Sequence, residues 1–351
     1  MEISKSARLG YVDVAKGVAI TLVVLGHALQ SCYLTEEFWL FRWIYAFHMP
    51  LFMFVSGFVC WRAKEWKVCK KRGVQLLVPF FTAIVLGELI FHWQNLSFYG
   101  LGEKIIDTVL QPDLGLWFLW ALFFINVIFV ACRKLAYVIS KCIGSGKHEL
   151  AIEIAVVLCV GGLLNVIELV TVTKIMGYHW IAWYFLYFIA GVYLRLWFSR
   201  GISSRQEMTL LWVSTVVFFV MVPFFRMHNE APTFYKYINL GPLMIVAFRF
   251  AVGIAGCLMT VLLLKCLTER GFHMNVFAKL GGVTLGIYYF QFIVIHLMED
   301  HVRMMPVWLQ VVVIGVTALF VNWGLVEICK KFALTRVLCL GLPWHERKDR
   351  A

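Results

Sequence analysis

The sequence predicts an all-α polytopic membrane protein of about ten transmembrane helices with both termini in the cytoplasm. Three observations lead there. The first is composition: of 351 residues, 62% are hydrophobic, 16% aromatic and 15% charged, and the mean hydropathy is +0.81. A soluble domain carries roughly 25% charged residues. The second is length of apolar run. Ten runs near the ~20 residues that a spanning helix needs fall at 12–31, 43–61, 74–95, 116–132, 150–171, 179–198, 208–225, 241–264, 280–299 and 307–329. The third is where the lysines and arginines lie. The N-terminal tail, the 2–3, 4–5, 6–7 and 8–9 loops and the C-terminal tail hold 24 of them. The remaining loops hold six (Arg42, Lys104, Lys174, Arg226, Lys236 and Arg303), and Lys16 and Arg249 lie within runs. Cytoplasmic loops concentrate positive charge, and an alternation without exception requires an even number of spans.

The longest connections, 96–115, 133–149 and 226–240, are too short for a soluble domain, so one transmembrane domain over 1–351 is expected. It sits as a multi-pass protein in the cell membrane, with lipid around it. The net charge of +12 does not indicate nucleic acid, because the basic residues are scattered over short loops and form no single patch or stripe. The first run reads as a span and not as a cleaved signal peptide. It contains charges, lacks a small-residue cleavage site and is followed by further runs. Ten cysteines without a C-x-x-C pair, mostly in spans or near basic loops, read as reduced thiols. Paired broken helices of the kind found in secondary transporters are not evident.

The first run, YVDVAKGVAITLVVLGHALQ, carries Asp13, Lys16 and His27. Ionisable groups inside a span are costly and mark a functional site. Asp13 and Lys16 are three apart and pair on one helix face. Lys16 and His27 are eleven apart, about 16 Å along the axis, so a cation near the cytoplasmic mouth and an imidazole near the outer end share one helix. The second run opens FHMPLFMFVSGF and puts His48 near the depth of His27. The third carries Glu88 and His92 at i, i+4 in its outer half. These groups from three spans are placed to converge, although His48, His92 and Trp117 of LWFLW also fit interfacial aromatic packing.

On the cytoplasmic side, RAKEWKVCKKR (62–72, ending Lys71–Arg72) suits either an anchor to anionic lipid or a site for a polyanion, with arginine apt for phosphate. Arg249 in the eighth run needs a partner such as Glu168, Glu88 or a substrate anion. The ninth, GGVTLGIYYFQFIVIHLMED, offers Thr284, Tyr288, Tyr289 and Gln291 to a polar route or to helix–helix hydrogen bonds. There is no H-E-x-x-H, paired cysteine or aspartate cluster for a metal, no G-x-S-x-G elbow and no Walker A loop.

Five segments in order, YVDVAKGVAITLVVLGH, FHMPLFMFVSGF, KKRGVQLLVP, LWFLWALFF and LGGVTLGIYYFQ, resemble the signature segments of the membrane-bound acyltransferase-3 family over nearly the whole chain. The opening VDVAKG…VVLGH is most similar to the branch of fucose 4-O-acetylase-like sugar O-acetyltransferases. The resemblance implies an enzyme that takes an acyl group, usually acetyl, from a cytosolic coenzyme A thioester such as acetyl-CoA. It would place that group on a hydroxyl of a glycan or lipid-linked sugar, with no metal. The family's basic-residue–x10–His motif falls on Lys16 and His27, the histidine being catalytic. Its basic stretch before a proline falls on Arg72 to Pro79, but where the family commonly has a second arginine three residues on, this chain has Gln75. Thr284 stands for the serine of a late Gly-x-x-Ser, and Gln291 replaces a late histidine.

With this implication the expected arrangement is concrete. The donor's phosphates sit near Lys16, Arg72 and Lys71, with Asp13 beside Lys16. The pantetheine arm rises between helices to present its thioester at His27. His27 acts as general base or as nucleophile. Thr284, Tyr288 and Trp117 are candidate donors to the oxyanion, Glu88 or His48 orients or charge-balances His27, and Arg249 meets a substrate anion. The competing expectation is a transporter or flippase whose buried charges line a permeation route.

Overall fold

A computed structural model describes residues 10–32, 38–95, 97–144, 148–227 and 241–344. Among these residues the chain is helical, with α1 Gly10–Ser31, α2 Trp39–Cys60, α3 Trp66–Phe91, α4 Phe98–Leu110, α5 Trp117–Cys142, α6 Glu149–Thr171 and α7 Tyr178–Ser199. There follow α8 Ser204–Met221, α9 Pro242–Glu269, α10 Asn275–Gly282, α11 Thr284–Val302, α12 Val307–Lys331 and α13 Ala333–Leu340. Nine of these elements are long and apolar enough to cross a membrane, and α10 with α11 makes a tenth if the pair is one span.

The expected ninth run is therefore not one straight helix. α10 and α11 are bent by 84° at a break. The cause is local: Gly281 and Gly282 end α10, glycine being costly to hold in a helix, and Val283 leaves helical geometry at φ −125°, ψ 14°. The expected connection at 96–115 holds α4. Ser97 caps it by accepting from the Gly100 amide at 3.0 Å, and 13 residues reach about 20 Å, too short for a hydrocarbon core of about 30 Å. The basic run 62–72 is not wholly a loop, because α3 starts at Trp66. The 133–149 connection also shrinks, because α5 continues to Cys142. Lysine and arginine are good helix formers, so these helices run past their apolar windows. Lys5, Arg8, Lys147, Lys236, Arg347, Lys348 and Arg350, which entered the charge count, lie outside the described residues. All ten cysteines are free thiols.

The chain divides into two compact units, Met1–Val55 with Leu194–Val326, and Ser56–Tyr193 with Glu327–Ala351. In the first unit α1 is the sheathed helix, with Ala19, Ile20, Val23, Val24, Ala28 and Leu29 fully buried. Close helix contact in membranes runs through small residues, and α1 shows it. A side chain at Gly17 would overlap the Phe277 backbone of α10, and one at Gly281 would overlap the Asp13 backbone of α1. Gly315 of α12 likewise leaves room for Leu25 of α1, and Gly256 of α9 for Phe47 of α2.

The second unit contains a buried ion pair, of which Arg133 falls in the expected 133–149 connection and Glu153 in the expected span 150–171. Arg133 Nε lies 3.1 Å from Glu153, and Arg133 Nη1 donates to the carbonyls of Trp61 at 2.8 Å and Ala63 at 3.1 Å. It thereby fixes the turn between α2 and α3. In the same unit α13 lies along α3: Thr82 Oγ1 donates to the Leu338 carbonyl at 2.6 Å. Gly341, at φ +58°, closes on the Gln75 backbone so tightly that no side chain would fit.

Candidate active site

In the first unit, Asp13 and Lys16 pair along α1 at 3.6 Å. At the other end of the helix His27 Nδ1 lies 3.1 Å from Gln30 Oε1. An amide oxygen only accepts, so Nδ1 carries the proton and Nε2 keeps the lone pair in the neutral ring. The His27 ring also packs on Phe292 of α11, with centroids 4.5 Å apart. His48 repeats this tautomer. Its Nδ1–H donates to the Ile44 carbonyl at 2.8 Å, which leaves Nε2 as a base. The two imidazoles are linked through Tyr45, which sequence reasoning did not single out. Its hydroxyl donates to the Gly26 carbonyl at 3.2 Å, immediately before His27, and its ring stands edge-on to His48 at 4.7 Å. An i, i+3 aromatic–imidazole spacing was the available signal.

Thr284 opens α11 three residues after Gly281, whose backbone rests on Asp13. It therefore stands with the Lys16 end of α1, while Phe292, two turns later, stands with His27. Tyr288 and Tyr289 are buried, and Gln291 is fully so. Arg249 holds its guanidinium over the Phe225 ring at 6.0 Å.

In the second unit, Arg72 Nη1 donates to Gln75 Oε1 at 2.8 Å and Nη2 to Cys60 Sγ at 3.4 Å, while Lys71 is exposed. Glu88 meets His92 at 3.4 Å, the i, i+4 pair that its spacing implied, and Lys104 of α4 at 3.9 Å. The lysine was not foreseen, because α4 read as a connection. Trp117 is more than a lone belt residue. It stacks on Trp180 at 4.6 Å and on Tyr184 at 5.2 Å. The Trp180 indole N–H donates to the Asp113 carboxylate, which also lies 3.7 Å from His179 Nε2. Among the described residues, no three His, Cys, Asp or Glu side chains gather as a metal would need.

Compared with known proteins, residues 9–327 match a family model described as an acyltransferase domain. The nodulation protein NolL of Sinorhizobium fredii is 36% identical over 136 residues, which cover 35% of this chain and 37% of that protein. NolL of Mesorhizobium japonicum is 36% identical over 125 residues, 32% of each. The matched part of the chain thus spans about a third of the length of these curated relatives. No solved structure matches. The family match begins just before α1 and ends within α12, and so takes in every candidate residue described above. This multi-pass integral membrane protein belongs to the acyltransferase-3 family.

Proposed function

We propose that the protein is an O-acyltransferase that moves an acyl group, acetyl in the first instance, from cytosolic acyl-CoA to a hydroxyl of a glycan or lipid-linked sugar. The observation that carries this is the α1 arrangement. An imidazole with Nδ1 tied to Gln30 and Nε2 left basic stands eleven residues above a lysine, on a helix whose apolar window is 67% buried. The division of 24 lysines and arginines against six supports cytosolic termini in the cell membrane, which puts Lys16 at the mouth where a cytosolic thioester arrives.

Lys16, and Thr284 beside its end of the helix, serve the donor's phosphates. Arg72, whose guanidinium is held by a neutral amide and a thiol, is the candidate phosphate-binding cation of the second unit. Near the outer end, His27 Nε2 takes the proton of the sugar hydroxyl as its oxygen attacks the thioester carbonyl, and the coenzyme A thiolate leaves. In the alternative order Nε2 itself attacks, and an acyl-imidazole passes the group on. Rapid quenching before acceptor is added separates the two, since only the second leaves label on the protein. Tyr45 ties the His27 peptide to His48, so His48 is the group best connected to hold that end in register.

One observation favours transport instead: the broken α10–α11 pair, a form that secondary transporters use at their substrate sites. Purified protein in lipid nanodiscs, given labelled acetyl-CoA and a saccharide extract, decides. Label in saccharide supports the transferase. Saccharide movement across reconstituted vesicles without acetylation supports the transporter.

A further inference from the structure

Two side chains in the first unit are out of place in a membrane core. Gln291 of α11 and Asn322 of α12 are both 0% exposed, and the amide nitrogen and oxygen of each have no hydrogen-bond partner among the described residues. Buried polar groups are normally satisfied, and inside a bilayer no solvent makes up the deficit. Something polar must reach both amides.

Their positions say what. Gln291 immediately precedes Phe292, whose ring packs on His27. Asn322 lies seven residues after Gly315 on the same buried face of α12, and Gly315 rests against Leu25 and Ala28 of α1. Only residues 303–306 separate α11 from α12, and consecutive membrane helices joined by so short a connection run in opposite senses. Asn322 therefore lies about 10 Å beyond Gly315 toward the Lys16 end. The two amides mark a line along α1 from the imidazole toward the cation.

We propose that Gln291 and Asn322 hydrogen-bond the two amide groups of the acyl donor's pantetheine arm, an inference that rests on the acyl-CoA reading above. A primary amide offers both donors and an acceptor, and each secondary amide of the arm offers one N–H and one carbonyl, so each protein amide can meet its counterpart in both senses. The arm's first amide lies two methylenes from the thioester sulfur, which assigns it to Gln291, one residue before the Phe292 that packs on His27. The second, past two methylenes, falls to Asn322.

The test compares three acetyl donors, each assayed by label transfer into the saccharide extract: acetyl-CoA, S-acetyl-pantetheine and S-acetyl-N-acetylcysteamine, which keeps the first amide and lacks the second. Asn322→Leu is expected to raise the KM of acetyl-CoA and S-acetyl-pantetheine about ten-fold or more, and to leave that of S-acetyl-N-acetylcysteamine within about two-fold. Gln291→Met raises all three. Asn322→Gln and Gln291→Asn, which keep the core polar and shift the amide by one methylene, reproduce the same pattern more weakly if the apolar variants fail to fold. An equal response of all three donors to both Asn322 variants would overturn the assignment, as would a change in thermal stability alone, the result expected if the amides only hold trapped water. A wild-type protein that takes acetyl from none of the donors would instead bring down the acyl-CoA reading, and this inference with it.

Discussion

Helices α1 and α3 are alike on paper and unlike in the molecule. Each is a long apolar run with cations near its start and titratable groups near its end: Lys16 and His27 on one, Lys71, Arg72, Glu88 and His92 on the other. Yet 67% of the apolar window of α1 is buried, against 22% for α3. α1 is crossed at glycine contacts by α10, whereas the C-terminal end of α3 is open, with His92 at 62% side-chain exposure. The difference teaches that polar residues in a span gain chemical meaning from what encloses them. The same i, i+3 or i, i+4 pairing gives a screened surface contact in one setting and an enclosed one in the other.

Exchanging residues between the two settings sharpens that contrast. The largest effect is expected at His27. His27→Ala should lower kcat/KM for acyl transfer by about 10²- to 10⁴-fold, while His92→Ala changes it little; paired kinetics with a melting curve for each variant measure this. Next come the helix crossings. Gly281→Val must push α10 off the Asp13 backbone, with an expected loss of about 3 kcal/mol or more. Gly87 of α3 has nothing within 4 Å of an added Cβ among the described residues, so Gly87→Ala should stabilise by about 0.5–1 kcal/mol. Denaturation in detergent reads both, and equal effects would break the comparison.

The cations follow. Lys16 is partly neutralised by Asp13 at 3.6 Å, while the guanidinium of Arg72 is held by Gln75 and Cys60. Arg72→Ala should therefore raise the KM of acyl-CoA about ten-fold or more and Lys16→Ala by less, with the acceptor KM steady for both. The smallest effect is expected for Glu88→Gln. Its contacts to the half-exposed His92 and Lys104 are worth no more than about 1 kcal/mol, and transfer should stay within about three-fold.

Much of this was legible in the sequence, for identifiable reasons. Spans of about 20 residues announce themselves by hydropathy, and the Asp13–Lys16 and Glu88–His92 pairs follow from helical spacing alone. The break at Val283 was not legible, because the apolar run continues through it and the glycines that cause it also read as packing residues. α4 was missed because its 13 residues fall short of a span and leave no hydropathy signal. Arg133 with Glu153, Trp180 with Trp117 and Asp113, and the isolated amides of Gln291 and Asn322 are separated by tens of residues. Their meaning depends on tertiary packing, which one sequence does not carry. Gln291 entered the sequence reading as a replaced histidine, and its complete burial turns it into a candidate ligand.

The most direct measurement is transfer of labelled acetyl from acetyl-CoA to saccharide by purified wild-type and His27→Ala protein, matched for thermal stability. Label reaching saccharide with the wild type and falling to background with the variant is the expected result. Equal labelling by the two proteins would contradict the assignment of the chemistry to His27.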